Sequence, residues 1–246
     1  MESGKKGGSM ESEKKMLESN SILETIPRDL VLEILVPLAS SSLSDICNTK
    51  RSCKTLNELG NNSYVLRYVS LEGVEVVQWE PSPELLSFLP RCEESGNPEA
   101  LYRRGMVEYF CNNKHEDALK FLERATNLGH EEAAYVLGII LLCNKDESKE
   151  WGIELLNKVE KRKRSRNIGL SELRNKCKAI VRKIWLNNVV CPEEPLCSTL
   201  ACKNNKRKRG QGWDLSDEDE QVMFDCKACK WDHERTLFHN MLCGSA

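Results

Sequence analysis

Long apolar stretches are missing from this 246-residue chain. No run approaches the ~18 residues that a membrane-spanning helix needs. The longest, from Ala133 to Cys143, is interrupted by Tyr135 and Gly138. Histidine is scarce, with residues at 115, 130, 233 and 239 only. G-x-S-x-G, a phosphate-binding glycine loop and H-E-x-x-H are all absent, so the usual nucleophilic, nucleotide and metalloprotease constellations have no foothold. A net charge of −2 rules out a globally basic nucleic-acid coat and an acidic solvating tail. The first twenty residues carry lysines with no apolar stretch behind them, which is not the pattern of a secretory signal. The twelve cysteines are therefore read in a reducing compartment, the nucleus or the cytoplasm. There, metal ligation or simple burial is favoured over disulfides.

Composition divides what remains. Residues 1–20 have almost nothing to bury and are expected to be disordered. From Thr25 to Leu38 the chain reads T-I-P-R-D-L-V-L-E-I-L-V-P-L. Leu30, Val31, Ile34, Leu35 and Leu38 form a wide apolar stripe on a helix that Pro37 should end or kink. Ser44 or Asp45 can cap a second helix bearing Ile46, Cys53, Leu56 and Leu59 and ended by Gly60. A short third stretch carries Tyr64, Leu66, Tyr68 and Val69. Three short helices bury too little surface to stand alone, so such a unit calls for an interface.

The run Ile26-Pro27-Arg28-Asp29-Leu30-Val31-Leu32-Glu33-Ile34-Leu35, followed by Cys53-Lys54-Thr55-Leu56 and Tyr64-Val65-Leu66, resembles an F-box. Ile26 stands in place of the usual Leu, and the Trp that commonly follows the Cys-Lys pair is absent. The resemblance covers residues 22–72. It implies that Ile26, Pro27, Leu30, Val31, Ile34, Leu35 and Leu38 dock on a Skp-type adaptor, and through it on a cullin. On the residues alone, an ordinary three-helix subdomain remains open.

Trp79 to Pro83 reads as a connector, with Ser82 placed to cap a helix that has Pro83 in its first turn. A repeat follows. Gly96-x-x-Glu99-Ala100-x-Tyr102-x-x-Gly105 recurs 33 residues later as Gly129-x-x-Glu132-Ala133-x-Tyr135-x-x-Gly138. Ala118-Leu119-x-x-Leu122 corresponds to Gly152-Ile153-x-x-Leu156 with one residue inserted. A period near 34 marks paired-helix solenoids. The phrase from Lys120 to Ala133 is similar to Sel-like tetratricopeptide repeats, which present a surface to a protein or peptide. The array is expected over 82–187, with any third helix pair drawn from 150–187; a four-helix bundle is the alternative.

Residues 161–209 carry 15 Lys+Arg against 3 acids, including Lys161 to Arg166 and Lys206 to Arg209. These clusters suit nuclear import or phosphate contacts. Few aromatics accompany them for base stacking, and the acidic run Asp214 to Glu220 would repel a nucleic-acid backbone. In the C-terminal segment 191–246, Cys197-x4-Cys202 and Cys226-x2-Cys229 form two paired knuckles, a pattern that suits one tetrahedral, structural zinc. Cys191, His233, His239 and Cys243 are competing ligands; Cys226, Cys229, His239 and Cys243 form a second set. Free, packed thiols are the alternative to metal binding. The combination also resembles plant F-box proteins that join Sel-like helices to a Cys-rich end containing C-x-x-C-x-W, here Cys226 to Trp231, with Glu234 and Phe238 following.

The expected architecture is mainly α: a three-helix F-box, a short helical-repeat array and a small Cys-rich, zinc-stapled C-terminal module. The expected role is a non-catalytic, substrate-recruiting adaptor of a Skp–cullin–F-box ubiquitin ligase, with no nucleic-acid or membrane partner. The competing reading is a nuclear, zinc-containing nucleic-acid-binding protein that uses 161–209.

Overall fold

A computed structural model describes residues 25–77, 82–144, 148–166, 169–192, 194–199, 202 and 226–244. The expectations for residues 1–20, for the Trp79–Pro81 connector, for Lys206 to Arg209 and for Asp214 to Glu220 fall outside them. Among the described residues there are eleven helices and no strand. No helix among them is long and apolar enough to cross a membrane.

The first helix, α1 (Arg28–Ser41), starts at Pro27, whose carbonyl accepts the Leu30 and Val31 N–H groups. Pro37 does not end it, so of the two outcomes read from the sequence, an end or a kink, the end is not taken. Proline's missing bond, to the Glu33 carbonyl, falls inside the helix, and the hydroxyls of Ser40 and Ser41 bond back to the Pro37 and Leu38 carbonyls, both at 2.9 Å. Ser42 then breaks the chain into an extended conformation and caps α2 (Leu43–Ser52) by accepting the Asp45 N–H, two residues ahead of the expected cap. The expected second helix is also divided. Cys53 is extended, and its sulfur accepts the Leu56 N–H to start α3 (Lys54–Gly60). A small polarisable side chain at that break does the work of a serine cap. The short α4 (Ser63–Leu66) follows, capped by Asn62.

These helices do not close a core alone. Val31, Leu35, Ala39, Ile46, Leu59, Val65 and Leu66 share one cluster with Cys92 and Ala100, which come from α5 (Pro83–Glu94) and α6 (Pro98–Phe110). Ser82 caps α5, with Pro83 in its first turn, as the sequence predicts. The buried Asn97 latches the two parts together. Its Nδ2 donates to the carbonyls of Leu66 (3.0 Å) and Val69 (2.8 Å), while Oδ1 accepts the Ala100 N–H and caps α6.

Next come α7 (His115–Asn127), α8 (Glu131–Cys143) and α9 (Lys149–Ser165). The 33-residue repeat is literal in three dimensions. Gly96 and Gly129 both turn through positive φ (78° and 91°) just before the caps Asn97 and His130. A Cβ on Gly105 would stand 2.7 Å from Leu122 Cγ and 3.3 Å from the Ala118 carbonyl. On Gly138 it would meet Leu156 Cγ and the Gly152 carbonyl at the same two distances. The inserted residue falls between α8 and α9, where the chain turns, so the helix contact is unchanged.

Gly138→Leu should therefore overpack the α8–α9 contact by about 1–3 kcal/mol, lowering the melting temperature of the full chain by several degrees. Calorimetry checks it. A rise, as on removing an exposed helical glycine, would contradict the pairing.

Every residue of α8 from Ala133 to Leu142 is buried, as an all-round apolar helix requires. The cover comes from an unexpected quarter. α10 (Leu170–Val181) does not stack on α9 as the first half of a third repeat; it packs chiefly on α8 and on the final helix, α11 (Lys227–Cys243). Trp231, Phe238 and Leu242 of α11 join the same core as the repeats.

Candidate docking face and metal centre

On α1, the positions read as a docking stripe separate. Leu30 and Ile34 are 55% and 64% exposed, and Pro27 lies beside them on the surface. Ile26 and Leu38 are half-buried. Val31 and Leu35 are buried in the chain's own core and are not available to a partner. Five apolar residues spread over too wide an arc for one contact, and residues 30 and 34 turn outward when 31 and 35 turn in. Tyr64 and Tyr68 on the neighbouring stretch are also exposed, edge-to-face at 5.6 Å, and the Tyr64 hydroxyl donates to Glu33. The result is an apolar and aromatic surface on the outside of a small helical unit.

At the other end, the sulfurs of Cys197, Cys202, Cys226 and Cys229 all lie within 4.8 Å of one another. Cys226 stands 3.7 Å from Cys197 and 3.8 Å from Cys202. Those separations are far too long for a disulfide. They match the edge of a tetrahedron with metal–sulfur bonds of about 2.3 Å, roughly 3.8 Å. Cys226 is also the cap of α11, its sulfur accepting the Cys229 N–H, so the second knuckle is a helix start. The Thr199 N–H, with help from Cys229, holds the Cys197 thiol down at about 7. Burial and its sulfur neighbours push the Cys229 thiol up. Four thiols so close cannot all ionise unless a cation neutralises them. The four residues could hold a metal ion, and with four sulfurs no position is left for a reacting water.

The second ligand set is not assembled. Cys226 and Cys229 open α11, whereas His239 and Cys243 stand near its end. Ten residues of continuous helix separate Cys229 from His239 by about 15 Å. His239 and Cys243 instead contact each other at 3.5 Å, and His239 Nδ1 lies 3.0 Å from the Val190 carbonyl. Cys191 and His233 are likewise outside the four-sulfur group.

Two residues that build this end, Asp232 and Arg235, were missed in the sequence. The Asp232 carboxylate accepts the N–H groups of Leu196 (2.8 Å) and Cys197 (3.3 Å), tying the first knuckle to the helix that carries the second. Arg235 donates to the carbonyls of Leu142 and Glu194. Glu234 accepts from Tyr135 Oη at 2.7 Å and from Arg174 Nη1 at 2.9 and 3.0 Å. Charged residues on buried faces leave no periodic apolar signal.

Among the described residues, part of the basic stretch is paired with carboxylates. Lys163 is buried against Glu131 (3.3 Å) and Glu172 (3.7 Å), Arg164 pairs with Glu160, and Arg166 pairs with Glu131. Lys176 joins Glu132 and Glu172. Lys163 and Arg166 tie the end of α9 to α8 and α10, and Lys176 ties α10 to α8.

A family model described as plant tetratrico peptide repeats matches residues 72–182, the segment from the end of the first unit through α10. Over 226 residues the chain is 30% identical to the Arabidopsis thaliana protein At1g67623, named among F-box proteins; the match covers 88% of this chain and 75% of that one. The chain belongs to the F-box proteins. Two further Arabidopsis thaliana F-box proteins match over shorter spans. At1g67340 is 32% identical over 52% of this chain and 34% of its own length, and At2g35280 is 34% identical over 50% and 75%. No solved structure matches. Within this F-box protein, Leu30 and Ile34 lie in the segment that carries the F-box resemblance.

Proposed function

We propose that this F-box protein is a non-catalytic, substrate-recruiting subunit of a Skp–cullin–F-box ubiquitin ligase, working in the nucleus or cytoplasm. The supporting observation is the outward pair Leu30 and Ile34, large apolar side chains left uncovered on a helix whose other face is buried. Membership of the F-box family supplies the partner, a Skp-type adaptor, and through it a cullin. The repeats and the Cys-rich end form the recruiting half, with zinc as the metal that four thiolates favour. The ligase would act by proximity, holding a target where its effective concentration at the ubiquitin carrier is high.

Ile34→Asp tests the reading. A charge buried at the adaptor contact without a partner costs several kcal/mol, on the order of a thousandfold in affinity. Co-purification with a Skp-type adaptor should be lost while helical circular dichroism is kept, because Ile34 is 64% exposed in the free chain. Val31→Ala, inside the core, should lower stability instead. Unchanged co-purification of Ile34→Asp would remove the proposal.

A further inference from the structure

Helix α11 is bound to the repeats in a way unlike the other core helices. Six polar or charged side chains are buried among the described residues, and three of them, Asp232, Glu234 and Arg235, are on this one helix. Each is met by a specific partner. The carboxylate of Glu234 sits between the Tyr135 hydroxyl and Arg174. One turn on, the Phe238 ring lies 5.9 Å from Tyr135 and 6.4 Å from Phe110. Another turn on, Leu242 is fully buried. Trp231, Phe238 and Leu242 form its apolar side; the buried charges beside them add the specific contacts by which a ligand helix is held in a groove. The attachment is also double. The carboxyl half is held by these contacts, while the amino end is held by Cys226 and Cys229 in the four-sulfur cluster.

We propose that the face formed by Tyr135, Arg174, Phe110 and the carboxyl end of α8 is a helix-binding site, occupied here in cis by α11 and kept closed by the metal centre. The partner it fits is an amphipathic helix bearing a carboxylate, an aromatic four residues later and an aliphatic residue four beyond that, the pattern of Glu234, Phe238 and Leu242. A target carrying such a helix enters when the metal leaves. This builds on the recruiting role proposed above and names the surface for it. The charges supply selectivity. A helix lacking the carboxylate would bury the Tyr135 hydroxyl without that acceptor, and one lacking the aromatic would leave the space between Tyr135 and Phe110 unfilled.

The test uses the full chain with and without a zinc chelator under reducing conditions. Hydrogen exchange should show the amides of 227–243 losing protection on chelation, while those of α6 to α9 keep theirs. A fluorescein-labelled peptide of residues 227–244 is the probe for the vacated face. Its anisotropy should report saturable binding to the chelated chain, at least tenfold weaker to the metal-loaded chain. Arg174→Ala in the chain, or alanine at the Glu234 position of the peptide, should weaken it by tenfold or more. Simultaneous loss of protection in α6 to α9 would make α11 a permanent part of the core and overturn the proposal. So would the absence of peptide binding to the chelated chain. Adaptor co-purification, run in parallel, reads the ligase assignment separately, since α1 lies in the other core cluster.

Discussion

Removing the metal, by chelation or by Cys226→Ser with Cys229→Ser, should strip α11 of its helical structure while the repeat helices α6 to α9 keep theirs. Structural zinc contributes folding free energy directly, about 10–16 kcal/mol in isolated fingers at neutral pH. Here part of the structure is held by α11's own contacts, so the loss should be smaller than in a finger and should centre on the 17 residues of that helix. The direction with pH follows from the ligands. Thiols must lose their protons to bind, so metal affinity falls as pH falls. The Cys197 thiol, held down at about 7 by the Thr199 N–H, releases its proton most readily on approach to neutrality. Cys229, pushed up by burial, is deprotonated only with the metal's help. Elemental analysis should find about one zinc per chain, and far less in the double serine variant. His239→Ala with Cys243→Ser should leave the zinc in place, because those two lie far along the helix from the cluster. Zinc retained after loss of Cys226 and Cys229 would reject the site.

The parts of this architecture that depend on local chemistry were legible in the sequence. The glycines at 96, 105, 129 and 138 announce themselves by a 33-residue interval, and each pair has the same geometric job. Ser82 with Pro83 states a helix start, and two cysteine pairs with short gaps state a group of four sulfurs that could hold a metal ion. Cys53 misled because its sulfur can cap a helix, which its place in an apolar pattern does not show. On α1, the arc of apolar residues shows that some face is buried; which part meets the chain's own core is decided by tertiary packing. The missing third repeat has the same origin. The apolar face of α10, with Leu173, Cys177 and Val181 buried, suits either stacking on α9 or crossing α8. The crossing is favoured because α8 is apolar on every side and needs further cover. Least legible was α11, whose attachment is written in charges.

Those charges make Glu234→Ala the most informative single substitution. Its carboxylate is 5% exposed and takes hydrogen bonds from two elements at once, Arg174 on α10 and Tyr135 on α8. Burial and the nearby Glu234 charge push the Tyr135 hydroxyl well above its ordinary range, so tyrosine remains the donor throughout the physiological pH range. Removing one member of a buried pair typically costs about 3–5 kcal/mol, since the remaining charge stays in a low-dielectric setting. Denaturant titration should show a loss of that size, read from a lower midpoint at similar slope. Glu234→Gln keeps an acceptor for Tyr135 and removes only the ionic part, so it should lose less. Tyr135→Phe should cost about 1 kcal/mol or somewhat more, the usual worth of a hydrogen bond to a charged group. In the double variant the two losses should fall short of additive, because both remove the same bond. Strict additivity would mean that Glu234 acts only through Arg174. A loss under 1 kcal/mol for Glu234→Ala would mean that α11 is seated by its apolar residues alone.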